Sequence, residues 1–189
     1  MDRKLLKQII NPIDSYSKSV DCDISYVKPF LEALSFDTQF DMIPDYQRGN
    51  NIWNRAQQIS FLENVYRGIV EKPMILVNIP FYLKSEEQFK KENVVVTETR
   101  NTCIDGLQRL TAILDFIDGK IRLFNNQVGY EELTTSLTVF RNITVANFRV
   151  YQIVDKKQLL QYYYDFNFGG TQHSIDERKK IEKMIADLS

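Results

Sequence analysis

The residue types best suited to chemistry cluster where an apolar run stops at Asp105-Gly106 and is followed by Gln108 and Arg109. Apolar residues then recur every three or four positions over 110–117, which is the spacing of one helix face. The pattern predicts a strand, a tight turn and a helix. The first amides of such a helix lack internal partners and carry the positive end of its dipole. This turn is therefore suited to holding an anion.

Each polar residue of the turn has a chemical interpretation and a structural one. Gly106 lets the backbone approach a ligand closely, and Arg109 can place its guanidinium on a phosphate. In the structural alternative, Asp105 only caps the helix, while Gln108 and Arg109 face solvent. The residues alone leave both interpretations open.

A second polar group, Tyr46, Gln47 and Arg48, begins a loop behind a proline. A planar guanidinium presented from such a loop suits bidentate phosphate recognition. The alternative is a loop that forms ion pairs with Asp41 or Asp45, which would give it only a structural role.

Other candidates are aromatic or lie near the carboxyl end. Tyr46 and Trp53 could stack on a base, although a lone tryptophan before an amphipathic helix is more often a core anchor. The amides of residues 169–171 could approach phosphate, or the glycines there could simply end a helix. Asn167 is the more chemical candidate of that block, and His173 is the only histidine.

Three blocks of the chain resemble motifs of the DUF262 family, and they occur in the family's order. Residues 104–111 resemble its Asp-Gly-Gln-Gln-Arg-Leu-Thr motif, although Leu107 replaces the first Gln. Residues 43–48, with Trp53 shortly after, resemble its Ile-Pro-x-Tyr-Gln-Arg segment, and residues 167–171 resemble its third block. The family is the amino-terminal domain of GmrSD-type modification-dependent restriction proteins, in the ParB/sulfiredoxin superfamily.

The resemblance implies that the loop of residues 46–48 and the Asp105 turn form one site, and the third block adds candidates for ligand binding. The implied catalytic residues are Asp105, Gln108 and Arg109. The implied ligand- or phosphate-binding residues are Tyr46, Gln47, Arg48, Gly106, Asn167 and Thr171. No protein ligand set for a resident metal is predicted. Leu107 has no donor for a phosphate or base, so it is the position where this chain departs from the family's chemistry.

The resemblance leaves three function classes. In the first, the domain binds, and as an NTPase hydrolyses, a nucleoside triphosphate with Mg²⁺ and acts on DNA in restriction-modification or phage defence. In the second, it is a metal-dependent endonuclease in which Asp105 and another carboxylate hold the metal. In the third, it is a non-catalytic DNA- or protein-binding regulatory module. Nucleotide, DNA, a separate nuclease subunit and self-association are the partners considered.

The composition sets few limits on these alternatives. Lys and Arg total 24 and Asp and Glu total 25, so the net charge gives no case for nucleic acid. Cys22 and Cys103 are far apart and, with a single histidine, cannot make a zinc site of ordinary spacing. No apolar run reaches the length of a membrane span. We expect a soluble, cytoplasmic protein with reduced cysteines and no membrane partner.

The elements that must position these residues are predicted to form an α+β fold of short strands with intervening helices, compatible with a ParB/sulfiredoxin-like domain. Residues 1–23 are predicted as a lead-in, with a loop over 11–23, and residues 24–189 as a single domain. Predicted helices cover 24–34, 55–68, the segment after Gly106, a segment opened by Asp155 and one opened by Ser174. Predicted strands cover 74–79, 94–105, 120–124 and 143–154, while 84–93 and 125–142 are predicted to be irregular.

Overall fold

The computed structural model describes residues 2, 17–34, 40–47, 53–136, 142–168 and 175–188. These ranges contain four strands and seven helices. They are β1 (Ser17–Asp23), α1 (Val27–Leu34), α2 (Arg55–Tyr66), β2 (Met74–Asn78), α3 (Glu86–Lys91), β3 (Thr102–Asp105), α4 (Leu107–Ile117), α5 (Tyr130–Ser136), β4 (Thr144–Tyr151), α6 (Lys156–Phe168) and α7 (Ile175–Ala186).

The four strands form one mixed sheet in the order β1-β4-β2-β3. β2 runs parallel to β4, whereas the β1–β4 and β2–β3 pairs are antiparallel. β2 is an inner strand, and its residues 75–78 are fully buried. A strand buried on both faces is apolar at successive positions rather than at alternate ones. This explains why the sequence alone places β2 correctly.

Successive residues of the sheet point into two separate cores because side chains alternate between the faces of a strand. Ile75 and Phe148 belong to a larger cluster that includes residues of α1, α2 and α4. Leu76 and Ile104 pack on the opposite face against α6 and α7. The sheet therefore lies between helices on both faces, and the predicted α+β class is confirmed.

Two predicted helix starts are confirmed by their caps. The Gln57 amide donates to Asn54 Oδ1 at 3.0 Å, and the Asn54 amide donates to Gln57 Oε1 at 2.8 Å, which completes a capping box before α2. The Gln158 amide donates to Asp155 Oδ1 at 2.9 Å at the start of α6. The predicted cap at Ser174 lies outside the described residues.

The loop predicted for residues 11–23 is wrong over Ser17–Asp23, which form β1. The sequence gives only a weak strand signal here, because one face of this edge strand is apolar and the other is polar. Cys22 is fully buried, while Asp21 accepts hydrogen bonds from Lys72 and Asn147 on the other face. The segment is a strand because it pairs in antiparallel register with β4, and the polar residues of the segment do not predict that pairing.

Other local predictions are also wrong. Residues 84–93 and 125–142 contain α3 and α5, and α3 begins with a capping box between Ser85 and Gln88. The strand predicted from residue 94 begins only at Thr102, and residues 120–124 contribute one isolated bridge instead of a strand. These segments are short, so their local signals are weak beside tertiary contacts.

Candidate functional site

The predicted strand–turn–helix junction is present, and Gly106 makes it possible. Gly106 has a φ of 92°, in the left-handed region. A Cβ atom at this position would lie 3.1 Å from both Ile75 Cα and the Met74 carbonyl oxygen. The turn therefore needs glycine for its backbone angle and for its close approach to β2.

Gly106→Ala is expected to lower the free energy of unfolding by about 1 to 2 kcal/mol, since an L-residue in the left-handed region costs that much and the new Cβ would crowd β2. Urea denaturation measures the loss. Gly68→Ala is the matched control, because its φ is also positive at 72° but nothing lies within 4 Å of the Cβ position. A loss at Gly106 no larger than at Gly68 would show that the approach to β2 is not tight.

α4 begins at Leu107, and no side chain in the described part of the chain caps its start, where Gly106 is the N-cap residue. Its first amides are therefore left for solvent or a ligand. Arg109, in the first turn, donates through Nη1 to the Met74 carbonyl oxygen, and its Nη2 lies 3.3 Å from Asp105 Oδ2. The guanidinium is thus fixed to β2 and paired with a half-buried carboxylate.

Gln47 joins the first predicted block to this junction. Its Nε2 donates to the carbonyl oxygens of Cys103 at 2.7 Å and Ile104 at 2.8 Å. Its Oε1 is buried and has no hydrogen-bond partner among the described residues. A buried acceptor without a partner is costly, so a ligand donor at this position would be favourable.

Tyr46 is not available to stack on a ligand, because it is only 2% exposed. Its hydroxyl donates to Thr102 Oγ1 at 2.9 Å, and its ring packs edge-on against Tyr163 with centroids 5.1 Å apart. Burial raises the pKa of its phenol. The ligand contact predicted for Tyr46 does not fit this position, and the residue instead anchors the loop that carries Gln47.

The third block reaches the same place through α6. Asn167 Nδ2 donates to the Tyr163 carbonyl oxygen at 2.9 Å, one turn earlier in the helix. On the opposite wall, Gln108 Oε1 accepts from the Trp53 amide at 3.3 Å, and the Trp53 ring packs against Phe61. Trp53 is thus both a packing residue and part of the site.

Together these groups surround a pocket with a volume of about 230 Å³. Its lining residues are Gln47, Trp53, Ile104, Asp105, Gly106, Leu107, Gln108, Arg109, Tyr163 and Asn167. Six of the predicted site residues are therefore brought together: Gln47, Asp105, Gly106, Gln108, Arg109 and Asn167. Arg48 and Thr171 lie outside the described residues, as does His173.

Sequence reasoning missed an ion cluster around the buried Glu98, behind the Gln47 loop. Glu98 is 3% exposed, and its carboxylate lies 3.0 Å from Lys156 Nζ and 3.3 Å from Arg100 Nε. The same two cations contact Asp45 at 3.5 and 3.4 Å. Lys156 also lies over the Tyr46 ring, 4.9 Å from its centroid. The sequence offered one signal for this cluster: the charged residues Glu98 and Arg100 lie among the β-branched residues of 94–102.

Leu107 lines the pocket but belongs to the larger core, with 8% of its surface exposed. Leu107→Gln is expected to lower the free energy of unfolding by roughly 0.5 to 2 kcal/mol, because an amide then replaces an apolar side chain in a largely buried position. Thermal unfolding measures this loss. Unchanged stability together with a gain in nucleotide affinity would instead mean that the position is free to serve a ligand.

Cys22 and Cys103 are free and buried, and burial raises the pKa of the Cys103 thiol to about 12. Over the ranges that the structure covers, no three histidine, cysteine, aspartate or glutamate side chains are grouped to hold a metal ion.

Within the same ranges, no helix has the length and apolar character needed to cross a bilayer.

The fold and the pocket define a mixed α+β domain whose polar site lies at a strand–turn–helix junction. The chain belongs to the family of the GmrSD restriction endonuclease N-terminal domain, whose family model matches residues 30–188. This confirms the resemblance drawn from the three motifs. No curated protein and no solved structure matches the chain.

Proposed function

We propose that this domain binds the phosphate groups of a nucleoside triphosphate or a nucleic acid in the pocket, as a nucleotide-dependent, DNA-acting protein of the restriction type. The observation that carries the proposal is the convergence of three distant blocks on one pocket, at a helix start that has no side-chain cap. Membership of the GmrSD family supports it, because that family's name describes a restriction endonuclease.

Different residues of the pocket would contact different parts of the ligand. The free amides at the start of α4 and the Arg109 guanidinium supply donors for phosphate oxygens. The buried Gln47 Oε1 supplies an acceptor for an N–H or O–H group of the base or sugar. In the protein alone, Asp105 is the anion that faces Arg109, at 3.3 Å, so a bound phosphate would share or replace that contact.

The pocket fits Mg²⁺ as an ion that accompanies the triphosphate. Mg²⁺ is typically held by one or two carboxylates together with phosphate oxygens and waters. Asp105 is the carboxylate that lines the pocket, and no group of three potential protein ligands is present in the described ranges. When bound, Mg²⁺ would neutralise phosphate charge. Holding the ion is the role left to Asp105.

A ligand screen tests the proposal. Thermal unfolding is followed with ATP, GTP, CTP or short DNA, each with and without Mg²⁺. A ligand present at 100 times its dissociation constant should add about 2.7 kcal/mol to the free energy of unfolding. Phosphate release from a stabilising nucleotide then distinguishes an NTPase from a binding module. A screen in which no nucleotide or DNA raises the melting temperature would contradict the proposal.

A further inference from the structure

The sheet face that carries Ile104, a residue of the pocket, continues toward β1. Ile104 packs with Leu76 of β2, Leu76 lies opposite Arg149 on β4, and Arg149 lies opposite Ser19 on β1. Residues directly opposite each other in a sheet share one face. Arg149 is exposed at the part of this face that α6 does not cover, so an open strip adjoins the pocket.

Among the described residues, one cation of this strip has no ion-pair partner. Asp21 is paired with Lys72 at 2.7 Å, and Asp105 is paired with Arg109 at 3.3 Å. Arg149 forms no ion pair with any of the described residues. Its guanidinium is exposed, and a guanidinium is well suited to a phosphate group.

An aromatic pair borders the strip. Tyr162 and Phe166, one turn apart on α6, are stacked with centroids 6.2 Å apart and planes at 26°. A hydrogen bond of 2.7 Å between the hydroxyls of Tyr162 and Tyr151 fixes the tyrosine. Phe166 is 42% exposed, which leaves a ring surface uncovered. The residues that follow these two in sequence, Tyr163 and Asn167, line the pocket.

Tyr151 connects the aromatic pair with the strip. It lies two residues after Arg149 on β4, so both side chains project from the same face of the sheet. The hydrogen bond between Tyr162 and Tyr151 therefore places the aromatic pair beside the strip that carries Arg149. Burial and the contact with Tyr151 raise the pKa of the Tyr162 phenol, and the charge of Arg149 lowers it.

We propose that Phe166, Tyr162 and Arg149 form a subsite for single-stranded nucleic acid that extends from the pocket. One phosphate occupies the pocket beside Arg109, the phosphate of the flanking nucleotide contacts Arg149, and the base of that flanking nucleotide stacks on Phe166. A mononucleotide has no flanking nucleotide, and the paired bases of a duplex are not free to stack. The proposal rests on the proposed function, since the pocket must hold the first phosphate.

Fluorescence anisotropy with a labelled oligodeoxythymidylate and with a labelled mononucleotide tests the subsite. Phe166→Ala should weaken oligonucleotide binding about 5- to 150-fold, the range that corresponds to losing one stacked base. Arg149→Ala should weaken it as well and should make the logarithmic salt dependence shallower by about 0.7. Mononucleotide affinity should be unchanged in both variants, whereas Arg109→Ala should weaken both ligands.

Matched variants separate stacking and charge from folding. Phe166→Leu keeps apolar packing and should lose oligonucleotide affinity, whereas Phe166→Tyr should retain it. Tyr26→Ala removes an aromatic of similar exposure from the turn before α1, and Arg67→Ala removes a cation from the end of α2; neither should affect binding.

Several results would overturn the subsite. The parent protein could fail to bind the oligonucleotide, or Phe166→Ala and Arg149→Ala could leave oligonucleotide affinity unchanged. The two substitutions could also weaken mononucleotide binding as much as oligonucleotide binding, or the parent could bind duplex as tightly as the single strand. Failure of the proposed function has a different signature, in which Arg109→Ala leaves the affinity for both ligands unchanged.

Discussion

Arg109→Ala is expected to weaken nucleotide binding by about 10- to 150-fold, because a charge-assisted contact to phosphate contributes about 1.5 to 3 kcal/mol. The fold should persist, since Arg109 is half-buried at the pocket and its protein partners are one backbone carbonyl and the Asp105 carboxylate. Titration of a labelled nucleotide measures the affinity, and circular dichroism with thermal unfolding reports the fold.

Arg67→Ala is the control for this prediction. Arg67, like Arg109, pairs with an acidic residue four positions away, in this case Glu63 at 3.4 Å, but it lies at the end of α2 and does not line the pocket. It should leave affinity unchanged. An Arg109→Ala protein that is folded and binds as tightly as the parent would reduce the junction to a structural turn.

Glu98→Gln is expected to have the largest effect on stability. Removing one partner of a buried ion pair typically costs 3 to 5 kcal/mol, because the other charge stays buried without compensation. Here Arg100 is 44% exposed, and Lys156 and Arg100 keep Asp45 as a second partner, so we expect at most about 3 kcal/mol. Urea denaturation at neutral pH measures the difference.

The Glu98 contribution should also depend on pH. Burial alone would raise the pKa of this carboxyl, but the Arg100 amide, the Lys156 ammonium and the Arg100 guanidinium lower it below its ordinary value of 4.5. A carboxyl whose pKa is lower in the folded protein stabilises that state fully above the unfolded pKa, and loses this effect as the pH falls through the folded pKa. The stability difference between parent and variant should therefore be constant above about pH 5.5 and shrink below pH 4.5.

Glu92→Gln is the control for Glu98. Glu92 contacts Lys84 at 2.8 Å, but both side chains are exposed, and such pairs contribute at most about 1 kcal/mol. If Glu98→Gln costs no more than Glu92→Gln, or if its cost is independent of pH down to pH 3, the ion cluster around Glu98 does not stabilise the loop that carries Gln47.

The sequence by itself determined the parts of this protein whose signals are local. Local contacts can be predicted from the sequence, because the interacting residues are only a few positions apart. The capping residues Asn54 and Asp155 and the turn at Asp105-Gly106 are of this kind. β2 is legible for a related reason, since burial on both faces makes it apolar throughout. The three motifs also identified the family, because their order does not depend on the fold.

Only the tertiary structure decided how these pieces meet. Gln47 reaches the junction through hydrogen bonds to carbonyls 56 and 57 positions away, and no local pattern encodes that pairing. Tyr46, the residue before Gln47, is buried against α6, because its ring packs in the second core and its hydroxyl donates to Thr102. An exposed loop tyrosine and a buried anchor look alike in sequence, since the side chain suits both environments. Which one it becomes depends on the strands and helices that pack around it.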